Sequence, residues 1–137
     1  MKPAAAALEH QVFDLVNEQR TAHGLKPLIW DEQLYRMARR QAESMGQLNY
    51  FDHKGPDGMG VVKRAQAAGV TGWRTLGENI GYILGSADPA TTVVREWLRS
   101  KKHCAILLYR SFTHGALGVA EGPDGRIFFT QVFAEKR

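Results

Sequence analysis

The chain predicts an α+β fold, an antiparallel sheet covered by helices, and three observations carry that prediction. Apolar residues recur at helical spacing in four places. Three β-rich segments follow, the first separated from the others by a helix and the last two joined as a hairpin. No linker, low-complexity tract or internal repeat interrupts the 137 residues. They therefore read as one domain over residues 8–135, with residues 1–7 as an N-terminal tail.

The elements can be justified in order. Leu8, Val12, Leu15 and Val16 fall at i, i+4, i+7 and i+8, one stripe of a first helix. It should stop near His23-Gly24, where Gly24 can take the left-handed conformation, and Pro27 then forces an extended linker. Asp31 suits the N-cap of a second helix whose buried stripe is Leu34, Met37 or Ala38, Ala42 and Met45. Arg36, Arg39 and Arg40 fall mostly on its wet side. Gly46 to Gly60 reads as a loop, with Pro56-Asp57-Gly58 as turn chemistry and the aromatics Tyr50 and Phe51 as anchors. A short helix with Val61, Ala65 and Ala68 on one side ends at Gly69. Next comes a strand around LGENIGY, Leu76 to Tyr82, closed by Gly85. Asp88-Pro89 opens a fourth helix, which buries Val93 or Val94, Trp97 and Leu98 and runs to about His103. Thr113–Ala120 and Arg126–Phe133 form the hairpin, turning at Glu121-Gly122-Pro123-Asp124-Gly125.

A 44% hydrophobic, 23% charged composition belongs to a globular chain, long enough to bury roughly two-thirds of its unfolded surface. No apolar run approaches the ~20 residues of a membrane span. The stretch from Met1 through four alanines is too short and weakly apolar for a signal peptide, as expected of a mature segment. The single cysteine, Cys104, excludes an intrachain disulfide. That fits a reducing compartment or a secreted domain large enough to do without one. The net charge of +4 favours anionic surfaces, though the basic residues are scattered. There is no phosphate loop, dinucleotide fingerprint or RNA-binding aromatic strand, so no nucleic-acid partner is expected.

The residues able to carry chemistry centre on Glu78. On a strand, Leu76, Glu78, Ile80 and Tyr82 share a face, which places a carboxylate among three residues that prefer burial. It needs a cation, a proton or a metal. His53 and His103 could supply the rest of a divalent-metal site: two imidazoles and a carboxylate suit zinc and leave room for water. The spacing matches no zinc signature, and taken alone it favours surface or capping roles for each residue over a metal site. Ser100 and His103 lie three apart on one helical face, with Glu96 a turn earlier, a set that suggests a hydrolase. No strained nucleophile turn accompanies it. Cys104 in an apolar stretch reads as core filling, His10, His23 and His114 as structural or solvated, and Trp30, Trp97, Phe129 and Phe133 as core.

In order, the segments resemble the CAP superfamily, the SCP/TAPS domain of cysteine-rich secretory, antigen 5 and pathogenesis-related 1 proteins, in its small, disulfide-free bacterial branch. The resemblance runs from about Val12 to Phe133. It rests on VNEQRTAHGLKPLIWDEQLYRMA from Val16, FDH at Phe51, GENI at Gly77, WLRSKKHCAIL at Trp97, FTHGALGVA at Phe112 and FFTQVF at Phe128. It implies a three-layer α-β-α sandwich around an antiparallel sheet of three to four strands, with a large open cleft. In many members that cleft holds two histidines and two glutamates able to bind a divalent cation. His53 matches the first histidine, Glu78 the glutamate of GENI and His103 the second histidine. The second glutamate falls on Ser100, so a metal here would be held more weakly unless Glu96 reaches in.

The resemblance implies a secreted protein of the extracellular space, periplasm or cell envelope. The first expectation is a binding module whose cleft takes a divalent metal, zinc foremost, through His53, His103 and Glu78. The second is a metal-assisted hydrolase of peptide, ester or cell-wall substrates, with Glu78, His103 or Ser100 as its catalytic group. The third is a basic surface that binds anionic cell-wall polymer or lipid, including peripheral membrane contact. The sequence assigns no oligomeric state.

Overall fold

The computed structural model describes residues 3–137. Among these residues five helices and four strands follow one another as α1 (Pro3–Ala22), β1 (Ile29–Trp30), α2 (Glu32–Leu48), α3 (Val61–Ala67), β2 (Trp73–Ile83), α4 (Pro89–Arg99), α5 (Lys101–Leu107), β3 (His114–Glu121) and β4 (Ile127–Lys136). The sheet runs in the order β1-β3-β4-β2. All pairings are antiparallel except that of β1 with β3. Helices cover both faces, so the expected α-β-α sandwich is the observed one.

Period-two alternation along the strands builds two cores. On one face Leu117, Val119, Phe129 and Phe133 pack with Val12 and Val16 of α1, Val93 and Trp97 of α4 and Leu107 of α5. On the other, Ala116, Val132 and Ala134 meet Leu34, Met37 and Ala38 of α2 and Ala65 of α3. Ile80 and Phe128 continue that second face against Ala42 and Met45. The α2 stripe is the one its sequence periodicity predicts. Two glycines let the layers close: a Cβ on Gly118 would lie 2.3 Å from the backbone of Ala38 and Arg39, and one on Gly81 2.8 Å from Val93.

Several expectations are corrected. The segment after Pro27 is a short strand, β1, not only a linker. Helix α1 begins at Pro3, so residues 3–7 continue it. The fourth helix breaks at Ser100, whose extended backbone (φ −90°, ψ 120°) ends α4 and caps α5. Glu96, Ser100 and His103 therefore do not form one continuous helical stripe. Leu98 is only half-buried, and Tyr82 is 44% exposed. Tyr82 stands outside the core because β2 is an edge strand, and it packs edge-on against Phe51 with ring centres 5.0 Å apart.

Two buried charges fix the layers. Arg20 lies in the Val12–Val16 stripe and is fully buried. Its guanidinium donates to the carbonyls of Lys26, Leu107, Tyr109 and Phe112 at 3.0–3.1 Å. Glu9 accepts from Tyr35 Oη and from the Val119 N–H. It thereby satisfies a strand amide that the two-residue β1 is too short to reach. The edge of β2 is tied down in the same way: Trp97 Nε1 donates to Ile80 O at 2.9 Å.

Asp31 caps α2 by accepting from Leu34 N at 2.9 Å and pairs with Lys136 Nζ at 2.9 Å. Burial pushes its carboxyl up, but the Leu34 amide and Lys136 outweigh that and hold it below the ordinary aspartate value. A depressed carboxyl stabilises the fold above its unfolded pKa and loses that contribution as pH falls through the folded value. Asp31→Ala is expected to cost about 1 kcal/mol at pH 7 and progressively less below about pH 4, read by urea denaturation across pH.

Candidate functional site

The GENI strand places Glu78 opposite Val132 of β4, on the face covered by α2 and α3. Its side chain is only 2% exposed, so the carboxylate requires compensation. Arg64 of α3 supplies it. One nitrogen, Nη2, donates to both Glu78 oxygens at 2.8 and 2.7 Å and to the His53 carbonyl at 3.1 Å. Sequence reasoning missed Arg64. The available signal was its phase: position 64 lies three after Val61 and four before Ala68, on the short helix's inner stripe.

His53 arrives on the loop between α2 and α3, held by Gln41 Nε2, which donates to Asp52 O at 3.0 Å. Its Nδ1 lies 2.9 Å from Glu78 Oε1, while its side chain keeps 38% exposure. A carboxylate only accepts, so this contact places a proton on Nδ1, and in the neutral tautomer that leaves the lone pair on Nε2.

His103 reaches the site from the other side of β2. Asn79 follows Glu78 along the strand and so faces the opposite layer, where its Nδ2 donates to His103 O at 3.0 Å. His103 Nδ1 lies 2.7 Å from Ser100 Oγ, which also accepts the His103 N–H. Burial, with the nearby charges of His53 and Lys102, holds the His103 imidazole below the ordinary histidine value. The two histidines thus stand on opposite faces of the edge strand, near enough that the charge of His53 is felt at His103. On the His103 side a cavity of about 450 Å³ opens, lined by Phe51, Ile80, Tyr82, Glu96, Ser100 and His103 among others, but not by His53. The structure thus joins Glu78 directly to His53, and His103 directly to Ser100.

Both Glu78 oxygens are engaged, and among the described residues no three His, Cys, Asp or Glu side chains are grouped to cage a metal ion. His53 and His103 each have Nδ1 within hydrogen-bond reach of a neighbour, Glu78 for one and Ser100 for the other, as the second nitrogen of a ligating imidazole usually does. Ser100, where the resemblance expects a carboxylate, serves as the helix cap that orients His103. Glu96 lines the cavity from an exposed position. Cys104 is free and half-buried beside the site.

A fold with helices on both faces of a four-strand sheet, and a histidine-bearing cleft at its edge, defines a class that the comparisons specify. Residues 13–133 match the model of the CAP, cysteine-rich secretory protein family, and the chain belongs to that family. It is 36% identical over 133 residues to the uncharacterized protein YkwD of Bacillus subtilis, covering 97% of this chain and 49% of that protein. It is 34% identical to the membrane protein YlbC of the same organism, covering 93% of this chain and 34% of the other. The chain therefore spans half or less of the length of these relatives. Among solved structures, an extracellular SCP-domain protein of Bacillus anthracis superposes with a TM-score of 0.81 at 32% identity, over 99% of this chain and 44% of that one. A distant relative in fold, NaASP2, was crystallised with Zn2+ (TM-score 0.65, 14% identity, 97% and 80% covered).

Proposed function

We propose that the cleft binds a divalent metal through His53 and His103, and that the protein acts outside the cytoplasm as a binding module. The observation that carries this reading is the Glu78–His53 contact. A carboxylate compensated by Arg64 and fixed on Nδ1 makes His53 a preset donor through Nε2. Burial holds the His103 imidazole below its ordinary value, which favours the neutral, ligating form. The metal would supply a Lewis-acidic anchor for a ligand in the cavity, while Phe51 and Tyr82 offer exposed aromatic surface beside it. The names of extracellular and membrane relatives support an envelope location.

Calorimetric titration with zinc tests the site. The wild type should bind, and His53→Ala/His103→Ala should abolish binding. Glu78→Gln should weaken it about 10–100-fold, because it replaces the fixed acceptor behind His53. Affinity should fall as the solution is acidified, since a proton on the depressed His103 imidazole excludes the metal from it. Equal zinc binding by the wild type and the double variant would refute the proposal.

A second reading, hydrolysis, is favoured by the 2.7 Å Ser100–His103 contact in a cavity that Glu96 also lines. Turnover on a peptide, ester and peptidoglycan panel that Ser100→Ala removes would establish it over binding alone.

A further inference from the structure

A second cavity, about 360 Å³, lies between α2, α3 and the loop that carries Pro56 and Asp57. The α2 residues that line it, from Gln33 to Ser44, recur at three- and four-residue spacing, so one helix face is turned to it. That face carries Arg36 and Arg40, which the sequence assigns to the wet side of α2. Both are exposed, and among the described residues neither has an acidic partner. Beneath them the lining is apolar, with buried Met37 and Val70 and half-buried Met59.

The charge balance of this groove is positive. Among the described residues Asp57 is its one acidic lining residue, and its Oδ1 accepts from the Met59 N–H at 3.0 Å. Arg36 and Arg40 outweigh it. Arg64 also lines the groove, and its charge is shared with Glu78 through Nη2 alone. Its Nε and Nη1 are buried without a partner. These unmet buried donors leave the charge of Arg64 only partly compensated, which adds to the positive potential of the groove that Arg64 lines.

We propose that this groove is a binding site for a compact organic oxyanion, a carboxylate or phosphate monoester on an apolar body. The anionic head would sit at Arg36 and Arg40, drawn also by the charge of Arg64 in the groove wall, and the apolar body would lie over Met37, Met59 and Val70. Guanidiniums select oxyanions by planar paired hydrogen bonds, and two methionines adapt the floor to bodies of differing shape. The site is separate from the His103 cavity, with which it shares no lining residue, although Arg64 also reaches Glu78 and the His53 carbonyl.

The probes are 4-phenylbutyrate, its neutral counterpart 4-phenylbutan-1-ol, phenyl phosphate and inorganic phosphate. Each is titrated into the whole chain with EDTA present, so that binding does not depend on metal at the histidines. Chemical shifts of the Met37 and Met59 methyl groups report occupancy. At least one of the two organic anions should bind saturably at submillimolar concentration, and the stronger one identifies the preferred head. The neutral alcohol and inorganic phosphate should each bind at least tenfold more weakly than that anion. Arg36→Ala/Arg40→Ala lies on an exposed helix face and should fold normally while weakening the anion at least tenfold. Added salt should weaken it as well. Equal affinity for alcohol and carboxylate, an unchanged double variant, or no saturable shift with any probe would overturn the site. None of these outcomes bears on zinc binding by His53 and His103.

Discussion

Arg20→Ala is expected to cost about 4 kcal/mol and lower the melting temperature by roughly 15 °C. The side chain is fully buried and donates to four backbone carbonyls, three of them in the segment that leads from α5 to β3. Truncation leaves those acceptors dry and opens a cavity the size of a long side chain. Arg20→Lys keeps the charge but has a single nitrogen to reach carbonyls that now divide among three, so it should recover less than half of the loss. Arg20→Met fills volume without any donor and should resemble alanine. Equilibrium denaturation of the three variants separates the terms: a lysine variant as stable as the wild type would show that charge alone, not the fork, holds the joint.

Gly118→Ala should cost about 3 kcal/mol or more, with a melting temperature lower by roughly 10 °C. The added Cβ would sit 2.3 Å from Ala38 C and Arg39 N. These are backbone atoms of a helix already packed on the sheet, so no side chain can swing aside to accept it. The methyl must push α2 off β3, and with it the floor on which Glu78, His53 and Arg64 meet. Thermal unfolding and zinc titration of this variant should therefore deteriorate together. Wild-type stability would show that α2 can shift outward freely.

What the sequence made legible was local. The α2 stripe, the glycine stops at Gly24, Gly69 and Gly85, the Asp88-Pro89 opening and the hairpin turn all depend on neighbours within a few residues. GENI and its two histidines were legible through family resemblance, because nothing in their spacing brings positions 53, 78 and 103 together. β1 escaped because a two-residue parallel pairing with β3 is decided by partners about 85 residues on, not by its own pattern. The break at Ser100 escaped because apolar residues continue on both sides of it, and only the serine's capping role marks the joint. Arg20 and Arg64 escaped for a shared reason. Charge argues for solvent, yet their helical phase, with Val12 and Val16 for one and Val61 and Ala68 for the other, argues for the interior. Phase was the better guide to both.

The indole of Trp97, which occupies the Ile80 carbonyl, bears on how the molecule meets its own copies. An outermost strand of 11 residues is long enough to template the addition of a foreign one. With a carbonyl near its midpoint already taken, and α4 standing beside it, an incoming chain finds the ladder interrupted before it can register. The same placement that leaves room for a cleft thus guards the sheet against growing into a fibre.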